Sequence, residues 1–424
     1  MGCLSKCDGG LAGSESGRGG TRRQGLLWAL WQMPGNIITP RDRQSPDWHS
    51  TRPHVCLLPA LRRRCILTPM KSGSTTIPSA VPRAVDCFAG CGGMTAGLQK
   101  AGFSVVGAIE IDADACDVYT LNHPNVRLWR EDIKGVTAEG MLKALGLRIG
   151  ELDLLGGCPP CQGFSTLRTR NGGRRIRDDR NDLIFEFQRL VLGLMPKAVM
   201  LENVPGLFTD HRLVAFKAAL EESGYVFEAK VLNVADYGVP QRRRRLVVLA
   251  CRSGTIVFAK KAPRHITVRD AIGKLPTAGT SGDPLHDLKE NRTPLTCQRI
   301  AAIPRDGGSR SSLPRALQLK CHQKFDGFKD VYGRMAWKGL APTITTGCFN
   351  PSKGRFLHPQ ENRAITMREA SLLQTFPADY EFPVRLGKVR IALMIGNALP
   401  PEFIRRHAVS IVENALTTIG ENHV

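Results

Sequence analysis

AVDCFAGCGGMTAGLQKA, residues 84–101, is the stretch that decides the fold. Its first part, Ala84–Phe88, is typical of a short buried strand, and Met94–Ala101 has the pattern of a helix. The glycine-rich turn between them offers unpaired N–H groups at a helix N-terminus and lets a ligand approach the backbone. Because Asp86 would repel a pyrophosphate, this turn favours a ligand that carries an amino or sulfonium charge.

Strands continue to alternate with helices as far as residue 251. Further strands are predicted at Phe103–Ile109, Val126–Trp129, Leu152–Leu155, Ala198–Leu201, Tyr225–Asn233 and Arg245–Ala250. The intervening helices are predicted at Asp114–Leu121, Ala138–Leu145, Leu183–Leu194 and Leu213–Ser223. This spacing predicts an α/β fold with a parallel, doubly wound sheet.

Polar and reactive groups stand where the predicted strands end. They are the Gly90 turn, Glu110, Asp132, Cys161 and Glu202. In doubly wound sheets, ligands collect outside the carboxyl ends of the strands. We therefore expect these groups to share one site.

Cys161 is the candidate nucleophile. It lies in the turn GCPPCQGFS, residues 157–165, where two prolines precede it and glycines flank it. A cysteine held on such a turn suits an exposed nucleophile better than a packed thiol. Glu202, at a neighbouring strand end, offers a carboxylate that could protonate a ring attacked by the thiolate. The alternative for Glu202 is a helix-capping or salt-bridged acid.

Arginines are concentrated in two segments near this cysteine. Residues 242–245 are four consecutive arginines followed at once by a strand, so alternate side chains should point to one face. That arrangement suits phosphate clamping and support of a nearby thiolate. The arginine-rich segment Thr166–Arg180 follows Cys161 and could close over nucleic acid.

The composition narrows the class of partner. A formal net charge of +21 favours a polyanion, with nucleic acid ahead of an anionic membrane surface. No run of eighteen apolar residues and no signal peptide are found, so no membrane association is expected. Thirteen scattered cysteines suggest reduced thiols in a cytosol-like compartment. The spacing of Cys158 and Cys161 would suit zinc, but no second pair accompanies it, so we expect no metal.

Two segments lack the alternating pattern. Residues 1–79 show no sustained periodicity and, up to Pro69, hold ten Lys or Arg against four Asp or Glu, which predicts a disordered basic leader. Met70 could be an alternative start. From 252 to 340 the chain is loop-rich, with seventeen Lys or Arg against seven Asp or Glu, and predicts a smaller basic domain.

Taken in their order along the chain, the motifs of residues 83–418 resemble those of the carbon-5 cytosine methyltransferases. The matching blocks are the first glycine-rich turn, Pro160-Cys161-Gln162, Glu202-Asn203-Val204, Gln241-x-Arg243-x-Arg245, Arg368-Glu369 with Leu373–Pro377, and Gly396–Pro401. The departures are Cys87 and Cys91 in the first turn, Leu399 where valine is usual, and a short recognition region.

The resemblance implies a Rossmann-like methyltransferase sheet that uses S-adenosylmethionine, with a smaller, loop-rich target-recognition domain. It implies a catalytic domain at 80–251, the target-recognition domain at 252–375, and a C-terminal segment at 376–424 that returns to the catalytic domain. The catalytic residues implied are Cys161, Glu202, Arg243 and Arg245. The cofactor residues implied are Asp86, Phe88, Gly90, Gly92, Gly93, Glu110, Ile111, Asp132, Ile133, Pro160, Leu183 and Asn397.

The activity implied is methyl transfer to carbon-5 of a flipped-out cytosine in specific double-stranded DNA sequences, through a covalent adduct on Cys161. A prokaryotic modification enzyme is favoured. It would be a cytoplasmic, nucleoid-associated monomer with a cognate restriction endonuclease as a further partner. A tRNA cytosine-5 methyltransferase stays open because the recognition region is short. An inactive DNA-binding relative would have lost Cys161 or Glu202, and both are present.

Overall fold

A computed structural model of the chain describes residues 81–160, 182–324, 327 and 329–416. The predicted leader, Cys161 and the arginine-rich segment Thr166–Arg180 lie outside the described residues. The described part is built on a seven-stranded sheet with the strand order β3-β2-β1-β4-β5-β7-β6. Its strands are β1 (Arg83–Cys87), β2 (Ser104–Ile109), β3 (Arg127–Trp129), β4 (Leu154–Gly157), β5 (Ala198–Asn203), β6 (Val226–Asn233) and β7 (Arg244–Cys251).

The direction of β7 differs from the sequence prediction. Strands β1 to β5 are parallel, as predicted, but β7 runs antiparallel to both β5 and β6. Only residues 234–243 join β6 to β7, and a 3₁₀ turn at Val234–Tyr237 takes up part of them. Parallel strands need a crossover of a dozen or more residues, so this short connection returns the chain antiparallel. The prediction of a parallel sheet is therefore confirmed for β1 to β5 and wrong for β7.

Between the strands, the described residues form the helices α1 (Gly93–Lys100), α2 (Ala113–Asn122), α3 (Ala138–Leu145), α4 (Leu183–Leu194) and α5 (His211–Glu222). Local capping sets several of their ends. The side chains of Asp112, Thr137 and Asp210 accept hydrogen bonds from the first turns of α2, α3 and α5. Each cap satisfies a backbone N–H that a helix start leaves without a partner.

The sheet separates two apolar cores. One contains Leu98 of α1 and Tyr119 of α2, and the other contains Phe187 of α4 and Phe216 of α5. Both faces of the sheet are therefore covered, which agrees with the nearly continuous apolar sequence of the central strands.

The C-terminal helices are α9 (Met367–Leu373), α10 (Gly387–Asn397) and α11 (Pro401–Asn414). Helix α11 buries Phe403 and Ile404 in the same core as Leu98 of α1. Gly97 of α1 allows this approach, because a Cβ at Gly97 would lie 2.6 Å from the Cβ of Ile404. Helix α11 thus packs beside α1, the first helix after the glycine-rich turn.

The region between β7 and α9 has little regular structure, as predicted. Its helices are the short α6 (Val268–Ile272), α7 (Pro294–Ala302) and α8 (Lys320–Lys324). Arg334 is fully buried there, and it donates hydrogen bonds to the backbone carbonyls of Ile300, Ile303 and His358. A buried guanidinium needs hydrogen-bond acceptors, and buried loop carbonyls need donors. Arg334 therefore supplies these carbonyls with the hydrogen bonds that neighbouring strands would supply in a sheet. No helix in the described ranges is long and apolar enough to span a membrane.

Candidate active site

A cavity of about 630 Å³ opens at the carboxyl ends of the parallel strands. It contains most of the predicted site residues that the structure describes. Those that line it are Phe88, Gly90, Gly93, Glu110, Ile111, Asp132, Ile133, Pro160, Leu183, Glu202, Arg243, Arg245 and Asn397. Cys161 lies outside the described residues, but Pro160, its neighbour in the chain, lines the cavity. Segments from both ends of the described chain therefore meet at one site.

The turn after β1 has an unusual backbone at the cavity wall. Phe88 adopts a left-handed conformation with φ 59°, and Gly90 and Gly92 follow with φ 55° and 91°. A non-glycine residue in this region costs on the order of 1–3 kcal/mol, and such strain concentrates at functional sites. The Gly90 N–H donates to Glu110 Oε2 at 2.7 Å, which ties the turn after β1 to the end of β2.

Two predicted cofactor residues, Asp86 and Gly92, do not line the cavity. The backbone N–H and hydroxyl of Thr95 donate to Asp86 Oδ2, at 3.1 and 2.8 Å. Burial raises the pKa of Asp86 to about 7. Gly92 packs behind the wall, where a Cβ would lie 2.5 Å from His123 Nε2. The structure therefore gives both residues contacts that hold the turn from behind.

Acidic side chains form the wall after β2. Glu110 Oε1 accepts from the N–H groups of Ile111 and Asp112, at 2.9 and 2.8 Å. The Asp112 carboxylate pairs with Arg390 of α10, whose Nη2 lies 2.7 Å from Oδ1. Asp112 and Arg390 both line the cavity. Neither was predicted as a site residue, because their separation of 278 residues leaves no local pattern.

Glu202 is the second-last residue of β5. It lines the cavity and is buried, with 7% of the residue exposed. Arg245 Nε lies 2.7 Å from its Oε1 in an ion pair, although the N–H is not aligned as a hydrogen bond. Burial raises the pKa of Glu202, and the nearby Arg245 and Arg243 only partly offset this effect. The carboxyl group therefore keeps its proton to a higher pH than an exposed glutamate does, while it stays in contact with a cation.

The four consecutive arginines alternate as predicted. Arg242 and Arg244 are exposed, whereas Arg243 and Arg245 line the cavity. Arg243 is buried and its Nη1 donates to the carbonyls of Gly396 and Ile344, at 2.9 and 3.3 Å. Burial and the charge of Arg245 lower the pKa of Arg243 to about 9. Through Gly396, Arg243 holds the end of α10 next to the sheet.

Asn203 secures the turn that leads to Cys161. Its Nδ2 donates to the Pro159 carbonyl at 3.0 Å, and its Oδ1 accepts from the Val204 N–H. Cys158 also lines the cavity, but burial and the nearby Glu202 raise the pKa of its thiol well above the ordinary value. Cys158 is therefore kept in its neutral, poorly nucleophilic form.

A buried pair of glutamines connects the same segments. Gln241 Nε2 donates to Gln374 Oε1 at 2.6 Å and to the carbonyl of Leu373. Gln374 Nε2 in turn donates to the carbonyls of Ile395 and Ala398. Both glutamines stand inside recognised motifs, yet neither was predicted as a site residue, because their partners come from distant segments. Within the described ranges, no group of three His, Cys, Asp or Glu side chains is arranged to hold a metal ion.

Comparisons with known proteins show the family of the chain. The family model for C-5 cytosine-specific DNA methylases matches residues 83–413. The chain is 37% identical over 347 residues to the Type II methylase M.HgiDII of Herpetosiphon aurantiacus, covering 77% of this chain and 94% of that protein. It is 33% identical over 341 residues to the Type II methyltransferase M1.HphI of Haemophilus parahaemolyticus, covering 78% and 86%.

Solved structures show the same likeness. One neighbour is described as a DNA modification methyltransferase encoded within an E. coli prophage. It is 25% identical, with a TM-score of 0.59, and the match covers 79% of this chain and 100% of that one. The S. pombe Dnmt2 methyltransferase is 18% identical, with a TM-score of 0.51, and the match covers 78% and 98%. At this identity the second likeness concerns the fold alone.

Proposed function

The chain belongs to the C-5 cytosine-specific DNA methylase family and is a DNA cytosine-5-methyltransferase, and from this premise we propose its mechanism and target. It transfers a methyl group from S-adenosylmethionine to carbon-5 of a flipped-out cytosine in specific double-stranded DNA sequences, through an adduct on Cys161. The supporting observation is that Glu202, Arg245 and Pro160 line the same cavity as the acidic wall at Glu110 and Asp132.

The cavity fits S-adenosylmethionine in size and charge. Its volume of about 630 Å³ falls in the range of small-molecule sites, roughly 300–1,000 Å³. Glu110 and Asp132 would accept hydrogen bonds from the ribose hydroxyls and the adenine amino group, and Phe88 and Leu183 would pack on the adenine. Asn397 and Gly93 would complete the wall. When bound, S-adenosylmethionine supplies an electrophilic methyl group on a positively charged sulfur.

Cys161 and Glu202 would activate the cytosine. The Cys161 thiolate adds to carbon-6, and a proton from Glu202 to N3 takes up the negative charge that the addition creates. The ring electrons then make carbon-5 nucleophilic toward the methyl group. Carbon-5 accepts the methyl group and the demethylated cofactor leaves. A base then removes the carbon-5 proton as the carbon-6–sulfur bond breaks, which regenerates the thiolate, and N3 returns its proton to Glu202. The raised pKa of Glu202 supports its role as the proton donor.

Arg245 and Arg243 would have different tasks. Arg245 contacts Glu202 directly and would stabilise negative charge near the thiolate and the substrate. Arg243 is committed to backbone carbonyls at Ile344 and Gly396, so it would act mainly by holding the catalytic and cofactor segments together.

The remaining assignments follow from the DNA substrate. A cytosine inside a duplex is out of reach of a buried carboxyl group, so the base must leave the stack. Residues 252–375 would form the target-recognition domain and read base edges, and residues 376–424 would return to the catalytic domain. We further propose that the enzyme is a monomer of the cytoplasm, associated with the nucleoid. Its likeness to Type II enzymes supports the proposal of a cognate restriction endonuclease as its partner.

Covalent trapping on DNA that contains 5-fluorocytosine tests the mechanism, because fluorine at carbon-5 cannot leave as a proton does. We expect a stable protein–DNA adduct that depends on S-adenosylmethionine and is absent from the Cys161→Ser variant. An active enzyme that forms no adduct would rule out thiolate addition. Bisulfite sequencing of host DNA after expression would identify the target sequence. Parallel assays with tRNA test the alternative, and methylation of tRNA without methylation of DNA would overturn the proposed substrate.

A further inference from the structure

Tyr380 joins the segment after the recognition region to the glycine-rich turn after β1. Its hydroxyl donates to the carbonyl of Cys91 and lies 2.9 Å from His123 Nε2. Tyr380, His123 and Cys91 are all buried. Cys91 lines the cavity, but Tyr380 and His123 do not. The two side chains therefore support the cavity wall from behind.

The protons in this group can be assigned from its acceptors. The Cys91 carbonyl can only accept, so the single hydroxyl proton of Tyr380 is directed to it. The Tyr380 oxygen is then available to accept from His123 Nε2. His123 Nδ1 lies 3.0 Å from Gln99 Oε1, so the tautomer of the ring sets which of the two contacts receives its single proton. Burial lowers the pKa of His123 to about 4, so the ring is neutral near pH 7. Burial also raises the pKa of Tyr380 well above its ordinary value, which keeps the hydroxyl protonated.

The glycine-rich turn is in close contact with the side chains of Tyr380 and His123. Gly92 has φ 91°, and a Cβ there would lie 2.5 Å from His123 Nε2 and 2.6 Å from the Tyr380 hydroxyl. The backbone of the turn is thus packed directly on both side chains. A shift of either ring would be transmitted to Gly90 and Phe88, which face the cavity.

Tyr380 is itself held in place by neighbouring segments. Arg368 Nη1 donates to the Tyr380 carbonyl at 2.9 Å. The next residue, Glu381, exchanges two hydrogen bonds with the side chain of Asn122 at the end of α2, each of 2.9 Å. The ring of Tyr380 packs against that of Phe376, with centroids 4.7 Å apart. These contacts fix the position of the Tyr380 hydroxyl, so it can hold the backbone of the glycine-rich turn in one conformation.

We propose that Tyr380 and His123 are positioning residues for cofactor binding. They hold the glycine-rich turn in the shape that receives S-adenosylmethionine, which rests on the function proposed above. The turn contains the strained Phe88, so without this support it would relax and would have to be reordered at each binding event. Pre-organised sites avoid that cost. The pair should therefore set the affinity for the cofactor while leaving the chemical step unchanged.

Tyr380→Phe tests this proposal, with Tyr225→Phe as the matched control. Tyr225 is also buried, and its hydroxyl donates to the Pro196 carbonyl at 2.6 Å, just before β5 begins. Each variant loses one buried hydroxyl–carbonyl hydrogen bond. Tyr380→Phe also loses the contact with His123, so its decrease in Tm should be at least as large as that of Tyr225→Phe. For Tyr380→Phe we expect the Kd and KM for S-adenosylmethionine to rise about tenfold, with kcat at saturating cofactor within about twofold of wild type. For Tyr225→Phe, the cofactor Kd should stay at the wild-type value.

His123 provides a second measurement. His123→Gln retains an N–H donor and should keep part of the affinity, whereas His123→Leu should match Tyr380→Phe. Equal cofactor Kd values for Tyr380→Phe and Tyr225→Phe would overturn the positioning role, as would a fall in kcat with unchanged KM. A wild-type enzyme that binds no S-adenosylmethionine would instead overturn the proposed function.

Discussion

Arg245 Nε lies 2.7 Å from Glu202 Oε1, where the end of β5 meets the start of β7. The contact depends on strand direction. Because β7 runs antiparallel to β5, Asn203 pairs with Leu246, and Arg245 precedes that pair beside the carboxyl end of β5. In a parallel arrangement, the arginines would lie at the opposite edge of the sheet. The departure from the predicted topology therefore delivers the cationic side chain to the acid.

Arg245→Ala should lower kcat for methyl transfer by about 100-fold, because it removes a pre-organised positive charge next to Glu202. Arg244→Ala is the control, since Arg244 is the adjacent arginine and points to solvent. It should retain kcat within about twofold. Steady-state rates on a duplex that contains the target sequence would measure both, and equal losses in the two variants would contradict a specific role for Arg245.

The pH dependence of kcat should reveal the ionisation of Glu202. Its pKa is raised by burial, and its protonated form is the proposed donor, so kcat should fall as rising pH removes that proton. Arg245 lowers this pKa, so Arg245→Ala should move the alkaline fall to higher pH. Glu202→Gln should abolish this limb and reduce kcat by about 10²–10⁴-fold. An unshifted limb in Arg245→Ala would assign it to another group.

Asn203→Ala should impair catalysis through the turn that precedes Cys161. It removes the hydrogen bond from Asn203 Nδ2 to the Pro159 carbonyl, a loss of about 1–3 kcal/mol if the carbonyl stays buried. We expect kcat to fall about 10- to 100-fold, with slower formation of the 5-fluorocytosine adduct. Asn414→Ala removes a comparable amide donor, to the Ser410 carbonyl in α11, and should leave adduct formation unchanged. Similar rates in the two variants would show that the turn is held without Asn203.

His407 should make stability depend on pH. Burial lowers its pKa from 6.5 to about 4 in the folded protein. Between those values the unfolded chain binds a proton that the folded chain does not, so stability falls as pH decreases from 6.5 toward 4. Between pH 7 and pH 5, the titration of His407 should lower the free energy of unfolding by about 2 kcal/mol. Asp86, whose pKa is raised to about 7, contributes to the pH dependence with the opposite sign. The contribution of His407 is therefore measured as the difference in free energy of unfolding between a His407 variant and the wild type.

His407→Phe removes this titration while keeping an aromatic ring next to Phe403 and Tyr237. Its free energy of unfolding, from urea titrations at pH 7 and pH 5, should decrease less than that of wild type. Parallel decreases in the two proteins would show that His407 does not titrate in this range.

Deletion of residues 1–69, which leaves Met70 as the start, should preserve methyl transfer. The family match begins at residue 83, and every described residue that lines the cavity follows it. Activity on target DNA should be within about twofold of the full chain at moderate salt, with weaker nonspecific binding because a net positive charge is lost. A deleted protein that folds but does not methylate would show that the leader contributes to the reaction.

Local patterns were sufficient to predict most elements of the sheet domain and many residues of the cavity. Apolar periodicity located β1 to β5 within a few residues, and acids at the strand ends, such as Glu110, Asp132 and Glu202, converge because parallel strands end at one edge. Asp86 is an exception, because it was predicted to be a cofactor residue but does not line the cavity. Its position at the strand end is visible in the sequence, but its bonding to Thr95 depends on how the helix that follows packs.

The sequence by itself determined the order of strands and helices, the glycine-rich turn and the family of the protein, because these depend on residues that are close together in the chain. Only the tertiary structure decided the insertion of β7 between β5 and β6, the pairing of Arg390 with Asp112, and the support of Cys91 by Tyr380. An apolar pattern predicts a strand but does not identify the strands that will lie beside it. Contacts between segments nearly 300 residues apart arise from packing and hydrogen bonding, which leave no periodic trace in the sequence.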